Sequence, residues 1–187
     1  MVPATLVVGA LLLGYSLTRP AGASSFTLTT SLLAIVWAGG ALAAAPIPVG
    51  AIDGPYGPRR PWAAGIVSGL LLAAVFLVGA LLVGLVPALE TDVQQVLAHA
   101  RGQVGLVVVL ITALNGVAEE LFFRGALFGL LPRRWALLLS TVLYAAVTAT
   151  AGSPMLVLAG VLLSLVAGLQ RIATGGVLAP ILTHVVW

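Results

Sequence analysis

Apolar residues fill the chain in long blocks, and polar residues collect between them. In order, the blocks run over about 2–18, 27–49, 62–87, 104–131, 135–151, 154–170 and 174–187. A bilayer core needs roughly 20 apolar residues per helix, so the pattern predicts about seven membrane-spanning helices. Pro20, Pro46 with Pro48, Pro61, Pro87, Pro132 and Pro154 punctuate the blocks as helix breakers should. The fifth and sixth blocks are short and meet at a tight "AGSP" turn, residues 151–154. The seventh stops at Trp187 with no polar tail, which leaves room for an eighth helix beyond it. The first block lacks the basic flank of a signal peptide and is expected to be a retained span. The fold class this predicts is all-α: a polytopic transmembrane helix bundle forming one integral membrane domain over 1–187.

Between the third and fourth blocks, "LETDVQQVLAHARGQ" (89–103) places Leu89, Val93, Leu97 and Ala100 at helical spacing with polar residues opposite. That predicts an amphipathic helix lying on the outer surface, with His99 as a wet interfacial side chain. Small residues recur every four positions, at Gly65 and Gly69 and at Gly160, Ser164 and Gly168. Such stripes let helices approach closely and point to packing. No internal repeat is evident, so the inverted-repeat pattern of transporters gains no support.

Composition sharpens the membrane reading. The chain is 61% hydrophobic and 7% charged, whereas a soluble domain carries about a quarter charged residues. The absence of cysteine excludes disulfides and thiolate metal sites. All eight basic residues are arginine, and they are scattered between apolar segments, so no nucleic-acid-binding patch is expected. Their distribution reports topology instead. With the N-terminus in the cytoplasm, Arg59, Arg60, Arg133, Arg134 and Arg171 fall inside, while Arg19, Arg101, Glu90 and Asp92 fall outside. The expected location is the cell membrane (inner or plasma), crossed several times, with the lipid bilayer as a constant partner. Asp53, in the Pro- and Gly-rich loop 51–61, reads as a solvated carboxylate in a cytoplasmic turn.

Three charges resist this scheme. "NGVAEELFFRGALFGLLPRRW", 115–135, sets Glu119, Glu120 and Arg124 inside an apolar helix of about 28 residues. At roughly 1.5 Å per residue, Glu119 lies about 18 Å from the cytoplasmic end. Ionisable groups at that depth cost at least a few kcal/mol and mark function before structure. Glu120 and Arg124, four apart, can pair on one face and leave Glu119 free to handle a proton. The bland alternative is an ion pair that only locks two helices together. At a similar depth the fifth block carries a polar stripe of Thr141, Tyr144 and Thr148, and the seventh carries His184. Glu119, Glu120, Arg124, His184 and Thr148 are therefore the candidate catalytic residues, with Asn115, Tyr144 and Phe123 as candidates for substrate contact.

The stretch "EELFFRGALFG" resembles the first motif of the CAAX-protease and bacteriocin-processing family of intramembrane proteases: Glu-Glu, three residues, then Arg. "TGGVLAPILTHVVW" resembles that family's closing motif, a Thr-Gly turn and Ala-Pro before an intramembrane His. The resemblance covers roughly 104–187, the motif-bearing core. It implies that Glu119 activates a water for attack on a peptide carbonyl, with Glu120 and Arg124 in support. Histidines would orient the water or the oxyanion, and some accounts of the family place a metal among these groups. The implied substrates are membrane peptides or protein C-termini. The sequence departs from the pattern in "LYAAVTA", where Tyr144 takes the aromatic position and Thr148 stands where a His belongs. An Asn of the final motif would fall at position 188, past Trp187. With one site histidine, a zinc centre of two or more His ligands is not expected, and a divalent metal such as zinc, which the resemblance leaves open, is disfavoured. The function expected is a glutamate-dependent intramembrane endopeptidase, weakened by Thr148. The alternative is a non-catalytic scaffold of the same fold that binds partner helices or peptide tails.

Overall fold

The structure, a computed structural model, describes residues 1–19, 23–44, 46–83 and 105–187. It is all-helical, and the helices among these residues number seven. They are α1 (Val2–Leu17), α2 (Ser24–Ala44), α3 (Trp62–Val83), α4 (Leu106–Leu130), α5 (Ala136–Ala149), α6 (Pro154–Thr174) and α7 (Leu178–Val186). Each apolar block yields one helix. The expectation of about seven spans is met more coarsely: α2, α3, α4 and α6 are long and apolar enough to cross a membrane. The α1 and α5 helices are shorter, and α7 has nine residues. The surface helix expected over 89–103, with His99, Glu90, Asp92 and Arg101, lies outside the described residues.

Local chemistry sets the boundaries. Pro154 opens α6, where its missing N–H would have no intrahelical partner, and the Ser153 hydroxyl accepts the Leu156 amide at 3.3 Å. Gly175 ends α6 at φ +69°, a left-handed position that glycine takes without steric penalty. The second apolar block stops being helical at Ala44, before the two prolines. Residues 46–51 instead form an extended strap across the α6–α7 turn. Pro48 and Val49 carbonyls accept the amides of Val177 and Leu178, each at 3.0 Å, and the Ala51 amide donates to the Thr174 carbonyl at 2.9 Å. The strap thereby caps the otherwise unpaired amide end of α7. Asp53 is exposed in the loop that follows, as expected.

The α4 helix runs through the centre and packs against α2, α5, α6 and α7, while α3 lies along α7 and α1 along α2. Gly69 of α3 faces α7 so closely that a Cβ there would stand 2.8 Å from the Thr183 carbonyl oxygen. The Gly160–Ser164–Gly168 stripe of α6 packs on α5, with the Ser164 hydroxyl 3.1 Å from that of Thr141. The outer faces are apolar: Leu11, Ile35, Leu71, Leu114, Leu138 and Leu158 all lie exposed. Inside sit Trp37, Phe122 and Phe123, together with Glu120 and Arg124, fully buried. An apolar exterior around a partly polar interior is the arrangement a lipid solvent demands.

Candidate active site

The α-helical part of α4 ends at Glu120, and Leu121–Leu127 continue as a π-helical segment. Such insertions within helices collect at functional sites. Here the segment follows directly on the two carboxylates. Phe122 through Leu127 are all buried, because the wide turn is enclosed by neighbouring helices on every side.

Glu120 is fully enclosed, and its Oε1 takes two partners. Arg124 Nη1 donates to it from 3.0 Å on the same helix, and His184 Nδ1 lies 2.9 Å away on α7. Arg124 is equally enclosed, and its guanidinium carbon sits 4.8 Å from the centroid of the Tyr144 ring. Glu119 points to the other side and is half-buried. Its Oε2 accepts a 2.6 Å hydrogen bond from the Tyr144 hydroxyl on α5. Beneath these groups the rings of Tyr144, Phe123, Phe122 and Trp37 stack in tilted and edge-on pairs, with centroids 4.8–5.3 Å apart. Such pairs stabilise beyond the area they bury and keep the floor rigid.

The structure thus brings together Glu119, Glu120, Arg124, His184, Tyr144 and Phe123. It does not bring in the other two candidates. Thr148 lies one turn beyond Tyr144, and its hydroxyl donates back to the Tyr144 and Ala145 carbonyls at 3.1 and 3.0 Å. A threonine inside a helix readily turns its hydroxyl onto the preceding turn. The Asn115 Nδ2 donates to the Thr30 carbonyl of α2 at 2.8 Å and to the Ile111 carbonyl at 3.0 Å, while its buried Oδ1 bonds none of the site groups. His184, expected at the depth of the acids, meets Glu120.

Gly116, Thr183 and Gln170, which have no place in the sequence reading, and Arg171, which has another, hold the site in shape. Gly116 makes room for the imidazole: a Cβ there would stand 3.2 Å from His184 Cδ2. Its signal was a glycine one turn before Glu120. Thr183, fully buried, bridges the Gly65 carbonyl of α3 at 3.0 Å and Gln170 Oε1 of α6 at 2.9 Å, which fixes the rotation of α7. Arg171, read from sequence as a marker of topology, donates from Nε to the Arg124 carbonyl at 2.8 Å and so ties the π-helical segment to α6.

The arrangement offers one partly accessible carboxylate beside a second that is locked by a guanidinium and an imidazole. That suits proton transfer to and from a bound molecule. Among the described residues no group of three or more His, Cys, Asp or Glu side chains has the arrangement of a metal-ligand set, and the Arg124 guanidinium occupies Glu120 Oε1.

No curated protein and no solved structure matches the chain. A family model does. Over residues 101–187 the chain is similar to the family described as type II CAAX prenyl endopeptidase Rce1-like, a group of proteases consistent with the CAAX-protease and bacteriocin-processing resemblance of its motifs.

Proposed function

We propose that this protein is a glutamate-dependent intramembrane endopeptidase that cuts membrane-associated peptides or protein C-termini. All seven helices form one polytopic unit in the cell membrane, with the N-terminus and Arg59, Arg60, Arg133, Arg134 and Arg171 on the cytoplasmic side. The observation that carries the reading is the contrast between the two adjacent acids. Glu120 is enclosed and bound to Arg124 and His184, while Glu119 is partly accessible and, among the described residues, has a partner on Oε2 alone.

A water beside Glu119 gives its proton to the carboxylate as its oxygen bonds to the peptide carbonyl carbon, and the carbonyl electron pair moves onto oxygen. Collapse of this tetrahedral species breaks the C–N bond, and Glu119 returns the proton to the leaving nitrogen. His184, anchored through Nδ1 on Glu120, presents Nε2 toward the water or the developing oxyanion. Arg124 offsets the charge of Glu120, so that this pair tolerates burial.

The test is cleavage of a membrane-peptide library by the purified full chain in nanodiscs, wild type beside Glu119→Gln. The expected outcome is cleavage by wild type and a loss of roughly 100-fold or more in the variant, the usual range for a general base. Equal cleavage by both would remove Glu119 from the mechanism. Silence from wild type, with a peptide or helix co-purifying, would favour the scaffold.

A further inference from the structure

Glu119 has one polar side-chain partner among the described residues, the Tyr144 phenol, 2.6 Å from Oε2. Among the neighbouring groups, Arg124 Nη1 and His184 Nδ1 both lie on Glu120 Oε1, the Thr148 hydroxyl is turned to its own helix, and the buried Arg124 Nε and Nη2 bond neither acid. The Tyr144 ring is held independently of its hydroxyl. Phe123 meets it edge-on at 4.8 Å between centroids, the Arg124 guanidinium lies over it, and its Cε1 sits 3.3 Å from where a Cβ of Gly160 would stand. A glycine at 160 therefore lets α6 close onto the ring. Packing sets the ring, and the ring sets the direction of the O–H.

We infer that Tyr144 is the positioning residue of the general base: its phenol occupies Oε2 of Glu119 and leaves Oε1 as the atom that takes and returns the proton. The inference rests on the peptidase reading above. In the attack step the water proton passes to Oε1, the water oxygen bonds to the peptide carbon, and the phenol stays protonated. In collapse the C–N bond breaks and the same proton leaves Oε1 for the nitrogen. The hydrogen bond from Tyr144 is strongest while Glu119 is a carboxylate, because charge-assisted bonds are roughly twice as strong as neutral ones. It thus holds the carboxylate in one rotamer between turnovers and involves no contact with the peptide.

Tyr144→Phe removes one oxygen and keeps the ring against Phe123 and Arg124. Loss of a hydrogen bond to a charged group should lower kcat roughly 10- to 100-fold, while KM stays within about 3-fold because the peptide does not touch the phenol. An unchanged kcat, or a loss confined to KM, overturns the inference. A second readout needs no turnover: the infrared band of the Glu119 carboxyl group in nanodiscs, assigned by its disappearance in Glu119→Gln. The band should move in Tyr144→Phe, and an unmoved band overturns the inference. If wild type cleaves nothing, the proteolytic reading fails by itself, and the band still decides whether the phenol holds Glu119. If Tyr144→Phe does not fold, fluorotyrosine can replace tyrosine in a Tyr15→Phe, Tyr56→Phe chain. Tyr144 is then the only tyrosine of the original three. A graded shift of the Glu119 band with fluorination supports the inference, and no shift overturns it.

Discussion

Arg124→Met is the sharpest probe of how the buried charges are held. The side chain is fully enclosed, as is Glu120, and the pair is separated by 3.0 Å. At that distance two unit charges attract by about 5 kcal/mol for an effective dielectric near 20. Removing the guanidinium leaves Glu120 enclosed with His184 as its remaining partner, and breaking a buried pair by deleting one member typically costs about 3–5 kcal/mol. Methionine fills much of the vacated volume, so the cavity term is small. The Arg171 bond is kept, since it goes to the backbone oxygen of residue 124. The loss should therefore be electrostatic. Glu120→Gln alone strands the guanidinium and should cost a similar amount. The double variant strands neither and should lie within about 2 kcal/mol of wild type. Unfolding in mixed micelles by denaturing detergent, run as a double-mutant cycle, measures all three. Single variants within 1 kcal/mol of wild type would refute the reasoning, as would costs that simply add.

Two further outcomes follow from the geometry. Gly116→Ala should push the His184 ring, whose Cδ2 lies 3.2 Å from the added carbon, by a few tenths of an ångström. Cleavage in nanodiscs should fall roughly 10-fold, as small misplacements near reacting groups do, while the detergent midpoint of unfolding changes little. Thr148→Val should leave cleavage within about 3-fold of wild type, because the hydroxyl serves its own helix and its loss uncovers no acceptor that water or the helix cannot satisfy. A larger loss in kcat would return Thr148 to the chemistry.

Much of this was legible in the sequence. Seven apolar blocks became seven helices because proline and glycine stop a helix by local sterics, which depend on neighbours in sequence. The acids of α4 were conspicuous because the chain has only five acidic residues in all. Their pairing at four-residue spacing is a property of one helix and could be read from it. What escaped lies between helices. The strap over the α6–α7 turn is made of backbone hydrogen bonds, which carry no side-chain signature. The π-helical segment keeps an ordinary apolar composition. Thr148 and Tyr144 shared one polar stripe, yet a short side chain bends back to its own helix while a long one reaches across to the next. Arg171 reads in the sequence as a topology marker, and its bond to the Arg124 carbonyl joins two helices with no sequence signature.

The Glu120–Arg124 bond joins two residues of a single helix, and that bears on how the chain enters a bilayer. A segment released from the translocon meets lipid before the helices that follow it have been made, and His184 lies 64 residues beyond Glu120. Were the carboxylate to depend on that distant imidazole, α4 would have to partition with an unmatched charge. Because the guanidinium travels with it, one turn away, Glu120 enters lipid with its own counter-ion, and Glu119 alone enters without one. The later helices then have one acid to accommodate instead of two, and their arrival places an imidazole and a phenol around acids already in position.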